Sequence, residues 1–173
     1  LPKEAKMKHH TKSSVVKLMV LAVLSTLLTG LLTSCGGSGA PKVDWELQIT
    51  GDVGNPITLS YADLVEMEQV ELNEIMMEKS TGEDEVTSWS GPSLDAILDQ
   101  AEAGDPAGVT AIAADGYAID ITSDELQGAI VALKRGDEWI TEAEPDKGPI
   151  RLVTPETPAN RWVFQLEEIQ VNR

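Results

Sequence analysis

After residue 44 the chain never holds one apolar periodicity for long. Its hydrophobic residues come in short alternating runs cut by glycine, proline and aspartate, and a single stretch has helical spacing. Trp45, Leu47 and Ile49 alternate with Glu46, Gln48 and Thr50, the period-two pattern of a strand with one buried face. Gly51 to Pro56 reads as a turn, Ile57 to Leu59 as a short strand, and Ser60-Tyr61-Ala62-Asp63 as a helix start leading into Leu64 and Val65. Val70 to Ser80 is extended, although Ile75, Met76 and Met77 in succession leave its buried face undecided. Thr81 to Asp84 turns the chain into a strand over Val86 to Ser90.

Ser93 opens the helix. Leu94, Ile97, Leu98 and Ala101 fall at i, i+3, i+4 and i+7, so one face is apolar and packs on a sheet, and Gly104 to Gly108 ends it. Val109 to Ala114 and Tyr117 to Ile121 form a hairpin about Asp115-Gly116, the strongest short turn signal in the chain. Ser123 caps a short helix through Leu126. Ala129 to Leu133 and Glu138 to Thr141 bracket Arg135-Gly136-Asp137 as a second hairpin. Pro145 to Pro149 is a loop, Ile150 to Val153 a strand, and Arg161 to Val171 a final strand. Many strands with two or three short helices make an α+β, mostly β domain, with no repeat and no second domain.

Composition narrows function by subtraction. Both histidines, His9 and His10, and the only cysteine, Cys35, stand at or before residue 35. The part that folds therefore has no Cys/His zinc site, no Ser-His-Asp or Cys-His machinery, no histidine-ligated haem and no internal disulfide. Residues 35–173 hold eight Lys and Arg against 28 Asp and Glu. So negative a surface repels phosphate backbones, which excludes nucleic acid as a partner.

Residues 7–35 have the layout of an export signal, with Met7 as the true start. Lys8, His9, His10, Lys12 and Lys17 form a basic beginning, and Leu18 to Leu32 a mostly apolar stretch, shorter than the ~20 residues of a membrane span. Leu32-Thr33-Ser34-Cys35 resembles a bacterial lipobox. That resemblance implies cleavage before Cys35, a lipid on its sulfur, and a domain anchored on the extracytoplasmic face of a cell membrane. Gly36 to Pro41 has the composition of a flexible tether. The expected organisation is a signal peptide over 1–34, a lipidated cysteine and tether over 35–43, and one domain over 44–173.

Several segments together carry a family pattern. They are Trp45 to Val53, Pro56 and Leu59 ahead of Asp63-Leu64, Trp89-Ser90-Gly91-Pro92-Ser93-Leu94 with Ile97-Leu98, Asp115-Gly116-Tyr117, Gly148 to Val153, and Trp162-Val163 with Ile169. In this order and spacing the chain resembles the oxidoreductase molybdopterin-binding domain of the sulfite oxidase type, from Trp45 to Val171. The resemblance implies a mixed α+β sheet domain that, in full-length members, wraps a pterin cofactor and holds molybdenum through one cysteine thiolate. That cysteine's position falls near Lys79-Ser80-Thr81, where no cysteine stands. Ser80 offers an oxygen there, and a Ser-Thr-Gly turn accounts for it equally well.

Members that bind the cofactor also bring cationic groups to its phosphate from a glycine-rich stretch before the last strand. Here that stretch reads Thr154-Pro155-Glu156-Thr157-Pro158-Ala159-Asn160-Arg161, and only Arg151 and Arg161 are cations nearby. Both are candidate anion clamps, or else partners of neighbouring carboxylates. Tyr117 is a candidate for stacking on a planar ligand, or else a hairpin tip. The candidate cofactor-binding set is thus Ser80, Tyr117, Arg151 and Arg161, with no catalytic residue and no metal ligand assigned.

Other features read as structure. Met76 and Met77 fill core gaps rather than ligate soft metal. The acidic runs Glu83-Asp84-Glu85 and Glu142, Glu144, Asp146 lack the spacing of a calcium loop and read as solvated charge. The four tryptophans line core or groove.

The expectation is a lipid-anchored, extracytoplasmic, non-catalytic module with the molybdopterin-domain fold. It takes a small ligand in the cofactor groove or an envelope protein as partner; molybdopterin is possible by family resemblance, but no cofactor is expected. The alternative is a small molybdopterin-dependent oxidoreductase, or a subunit of one.

Overall fold

Alternation along short strands, rather than helix packing, builds the structure. The computed structural model describes residues 39–173; the expected signal peptide and the lipidation site at Cys35 lie outside the described residues. In chain order the elements are β1 (Glu46–Gly51), β2 (Ile57–Ser60), α1 (Tyr61–Glu66), β3 (Gln69–Met77), β4 (Glu85–Pro92), α2 (Leu94–Gln100), β5 (Gly108–Ala113), β6 (Ala118–Thr122), β7 (Ile130–Ala132), β8 (Lys134–Arg135), β9 (Glu138–Trp139), α3 (Ile140–Ala143), β10 (Arg151–Val153), β11 (Val163–Phe164) and β12 (Leu166–Asn172). They form a five-stranded sheet β2-β1-β12-β5-β6, a three-stranded sheet β11-β10-β7 and a four-stranded sheet β3-β4-β8-β9. The fold is α+β and mostly β, as the strand-rich pattern predicts.

In the five-stranded sheet the last strand sits at the centre. β12 pairs parallel with β1 and antiparallel with β5, so the two ends of the domain are laced together. Leu47, Ile49, Val109, Ala111, Ile121, Ile169 and Val171 turn one face of this sheet into the larger core, where Tyr61 and Leu64 of α1 and Leu94, Ile97 and Leu98 of α2 meet them. Each such side chain taken from water contributes roughly 1.5–3 kcal/mol. Both helices are capped as their sequences require. Ser60 Oγ accepts from Asp63 N while the Asp63 carboxylate accepts from Ser60 N, and Ser93 Oγ accepts from Ala96 N. The Ser60 hydroxyl, donating to the Asp63 carboxylate at 2.6 Å, with the Ser60 N–H beside it, pulls the Asp63 pKa below the ordinary carboxylate range.

The three-stranded sheet is a wall with a core on each side. Val131, Ile150 and Leu152 face the larger cluster. Ile130, Ala132 and Val153 face a smaller one with Trp89, Ile140 and Trp162. Every residue of β7 and β10 is buried, which is why these segments are continuously apolar apart from Arg151. Gly91 of β4 lies against this wall, and a Cβ there would stand 2.0 Å from Val131 O.

Three expectations need correcting, and one point left open is decided. Ala129–Leu133 is no arm of the second hairpin: β7 pairs with β10, and the hairpin is only β8 and β9, so the chain changes sheets at Leu133, and Thr141 is helical. The final strand starts later and is broken, because Ala159–Arg161 is a 3-10 turn and Gln165 takes φ 51 between β11 and β12. Ser123 caps nothing with its side chain; Glu125 instead accepts from Thr122 N at 2.9 Å. The buried face of β3 is decided by a bulge: with Glu74 at φ 52, Leu72 stays opposite Trp89 and Ile75 opposite Thr87, so both point inward.

Candidate functional site

The tip of the β5–β6 hairpin forms one wall of a cavity. Asp115-Gly116 makes the turn, Gly116 taking φ 84 as its lack of a side chain permits. Asp115 Oδ1 accepts from Tyr117 N at 2.9 Å, which fixes the backbone that carries the tyrosine. Tyr117 itself is 47% exposed. Facing it are the 3-10 turn and β11, and the cavity enclosed between them measures about 310 Å³. Tyr117, Trp162, Phe164, Asp115 and Asn160 line it, with the small aliphatic groups of Ala113, Ala159 and Val163 between them.

The far wall is held rigidly. Trp162 Nε1 donates to Thr154 O at 2.9 Å and Thr157 O at 3.2 Å, and its ring meets Trp89 edge-on, 5.9 Å between centroids. The prolines and threonines of the segment before it serve this purpose: Thr154 and Thr157 share a hydroxyl hydrogen bond of 2.5 Å and are buried. Ala159 N donates to Glu78 O at 2.9 Å, tying the 3-10 turn to the root of the β3–β4 loop.

Of the four candidate cofactor-binding residues, only Tyr117 lines this cavity. Ser80 lies exposed in the β3–β4 loop. Arg161 leaves the cavity wall to bind Asp120 O at 2.8 Å and Glu125 at 3.0 Å. Thr122, donating from its N–H and hydroxyl, is foremost in holding the Glu125 pKa below its ordinary value, and Arg161 adds to it. Arg151 is 3% exposed on the inner face of β10, its guanidinium 4.8 Å from the Trp89 ring and 3.3 Å from Glu144 Oε2. Burial pulls the Arg151 pKa down, Glu144 pushes it back up, and Arg135 adds to the lowering.

Arg151 belongs to a chain of charges running across three elements. Lys79 pairs with Glu85 at 2.8 Å, Glu85 with Arg135, Arg135 with Glu144 at 3.0 Å, and Glu144 with Lys147 at 3.4 Å. Lys79, foremost among these contacts, keeps the Glu85 pKa below the usual range. The acidic runs at 83–85 and 142–146 thus supply structural partners, Glu85 and Glu144, alongside solvated charge. Among the described residues no group of three or more His, Cys, Asp or Glu is placed to hold a metal ion. Met77 packs on the smaller core, whereas Met76 is 51% exposed.

Sequence reasoning did not assign Phe164 or Asn160 to the site. The available signal was slight: Phe164 is the chain's only phenylalanine, and it stands two residues from Trp162, a spacing that puts both rings on one face of an extended chain.

The architecture defines a class first: an α+β, mostly β domain with a central C-terminal strand and a buried wall shared by two cores. Residues 38–173 match the model of the oxidoreductase molybdopterin binding domain, and the chain belongs to that family. Among solved structures it is similar to the sulfane dehydrogenase SoxCD from Paracoccus pantotrophus, with a TM-score of 0.63 and 18% identity, over 78% of this chain and 40% of that one. The chain therefore spans well under half the length of that relative. A search of curated proteins finds no match.

Proposed function

We propose that this is a lipid-anchored, extracytoplasmic binding module in which the molybdopterin-domain fold is kept without its metal chemistry, and that its ligand is a small molecule seated between the β5–β6 hairpin and β11. One observation carries the reading: five of the eight cations after residue 34, both candidate arginines among them, are turned inward or paired with acids. Arg151 lies beneath Phe164 and beside Trp89 with Glu144, Arg161 is held by Glu125, and Lys79, Arg135 and Lys147 are in the Glu85–Glu144 chain. A dianionic phosphate needs several such donors at once. The cavity lining offers it one amide, one phenol hydroxyl and a carboxylate, and no cation.

The metal end fits no better. Residues 39–173 contain no cysteine, and Ser80 is an exposed loop hydroxyl away from the lining of the cavity. The residues present do not fit a molybdopterin group, and no reaction step is assigned to one. What remains is a cavity at the lower end of the size range of small-molecule sites, mostly apolar with three polar groups, on Asp115, Tyr117 and Asn160.

The anchor follows from Leu32-Thr33-Ser34-Cys35 and the glycine-rich segment after it. The full chain, produced in a bacterial host that makes molybdopterin and extracted in detergent, is expected to carry molybdenum far below one atom per chain by elemental analysis. Stoichiometric metal with a releasable pterin overturns the reading in favour of an oxidoreductase. Cys35→Ala is expected to move the protein from the membrane to the soluble fraction.

A further inference from the structure

The cavity lining combines three aromatic rings with one carboxylate and no cation: Tyr117, Trp162 and Phe164 stand with Asp115. Aromatic faces carry negative quadrupole density and attract cations, tryptophan most strongly. Residues 35–173 add eight basic against 28 acidic side chains, so the mouth lies in a negative field that concentrates cations and disfavours anions. Inorganic ions are a poor match, since hard cations take oxygen donors in numbers that rings and methyl groups do not supply. A quaternary ammonium is different: its charge is spread over methyl groups that bury on apolar surface while the cation is attracted by the rings.

Resting on the reading of this cavity as a ligand seat, we infer that it binds a quaternary-ammonium organic cation of about the size of choline. The volume of about 310 Å³ suits a small head group. Tyr117 and Trp162 supply the cation–π attraction. Phe164 supplies mainly apolar wall, because the Arg151 guanidinium already stands 5.7 Å from its ring. Asp115 balances the charge at the rim. The two anchors are set before the ligand arrives: Trp162 is clamped by Thr154, Thr157 and Trp89, and the Tyr117 backbone by Asp115. Little ordering is then required on binding.

The test is a titration of the full chain with choline chloride and tetramethylammonium chloride at constant ionic strength, followed by tryptophan fluorescence and calorimetry. Saturable binding is expected. Tyr117→Ala weakens it about threefold to thirtyfold, the range of a desolvated cation–π contact. Asp115→Asn weakens it about fivefold, and both variants are expected to melt within a few degrees of the wild type because their side chains are exposed. The neutral isostere 3,3-dimethylbutan-1-ol binds at least about tenfold more weakly. Phosphocholine distinguishes sources: affinity equal to choline supports a lipid head group, and binding of choline alone supports a free solute. The inference is overturned by no saturable response, by equal affinity for the neutral isostere, or by unchanged binding in Tyr117→Ala. Molybdenum measured on the same preparation separates the failures. A metal-free chain blind to choline sinks only the choice of ligand, whereas stoichiometric metal sinks the module reading itself.

Discussion

Arg151 and Glu144 are unequal halves of one ion pair. Glu144 also has Arg135 at 3.0 Å and Lys147 at 3.4 Å, but among the described residues Arg151 has no other anion, and its Nε lies buried without a hydrogen-bond partner there. Glu144→Gln therefore strands a buried charge and is expected to lower stability by about 3–5 kcal/mol. Arg151→Met leaves Glu144 two cations, fills the space beside Trp89 and should cost about 1–2 kcal/mol. Urea unfolding of the two variants distinguishes them, and equal losses would contradict the asymmetry.

Tyr61 gives a pH signature. Tyr61 is 1% exposed and its hydroxyl has no hydrogen-bond partner among the described residues, and burial, with Glu142 adding to it, pushes the pKa up to about 12. Between pH 10 and 12 the unfolded chain loses this proton while the folded chain keeps it. Stability is thus full below pH 10 and falls as pH rises through the window, by about 2–3 kcal/mol. In Tyr61→Phe that part of the decline disappears, and near pH 7 the variant is no less stable, since an orphan hydroxyl has been removed. Denaturation curves for both chains at pH 9 and pH 11.5 measure the difference.

At the scale of elements, Gly91 holds β4 against the shared wall. An added methyl would meet Val131 O at 2.0 Å and Ala132 Cα at 2.8 Å, both backbone atoms of β7 that cannot step aside. Gly91→Ala is expected to cost about 3 kcal/mol or more, read from thermal or urea midpoints. This is also where legibility in the sequence divides. The β5–β6 hairpin and helix α2 were readable because turn chemistry and the i, i+3, i+4 stripe are local. The sheet changes at Leu133 and Gln165 were not, since pairing partners across the fold decide them. The site divided the same way: Tyr117 followed from a turn signal, while Trp162 and Phe164 converge on it only through tertiary packing, and the two arginines were drawn off by acids distant in sequence.

For the molecule as a whole, charge dominates the response to solvent. With 28 acids against eight bases after residue 34, self-repulsion in the folded state outweighs the few ion pairs. Raising the ionic strength from about 0.01 to 0.5 M shortens the screening length from about 30 Å to a few ångströms. The melting temperature should then rise by about 5 °C; a fall would mean that the Glu85–Glu144 chain of pairs matters more than net charge. The parallel pairing of β1 with β12 carries one more consequence. Trp45 Nε1 donates to Leu166 O at 2.7 Å, and Leu166 stands opposite Ala113 in the cavity wall, so the polypeptide enters the sheet at the rim of the aromatic pocket. A leash over residues 36–44 cannot exceed about 30 Å. Fastened at Cys35, as proposed, it would let Trp45, and with it this rim of the pocket, stray no farther than that from the bilayer surface.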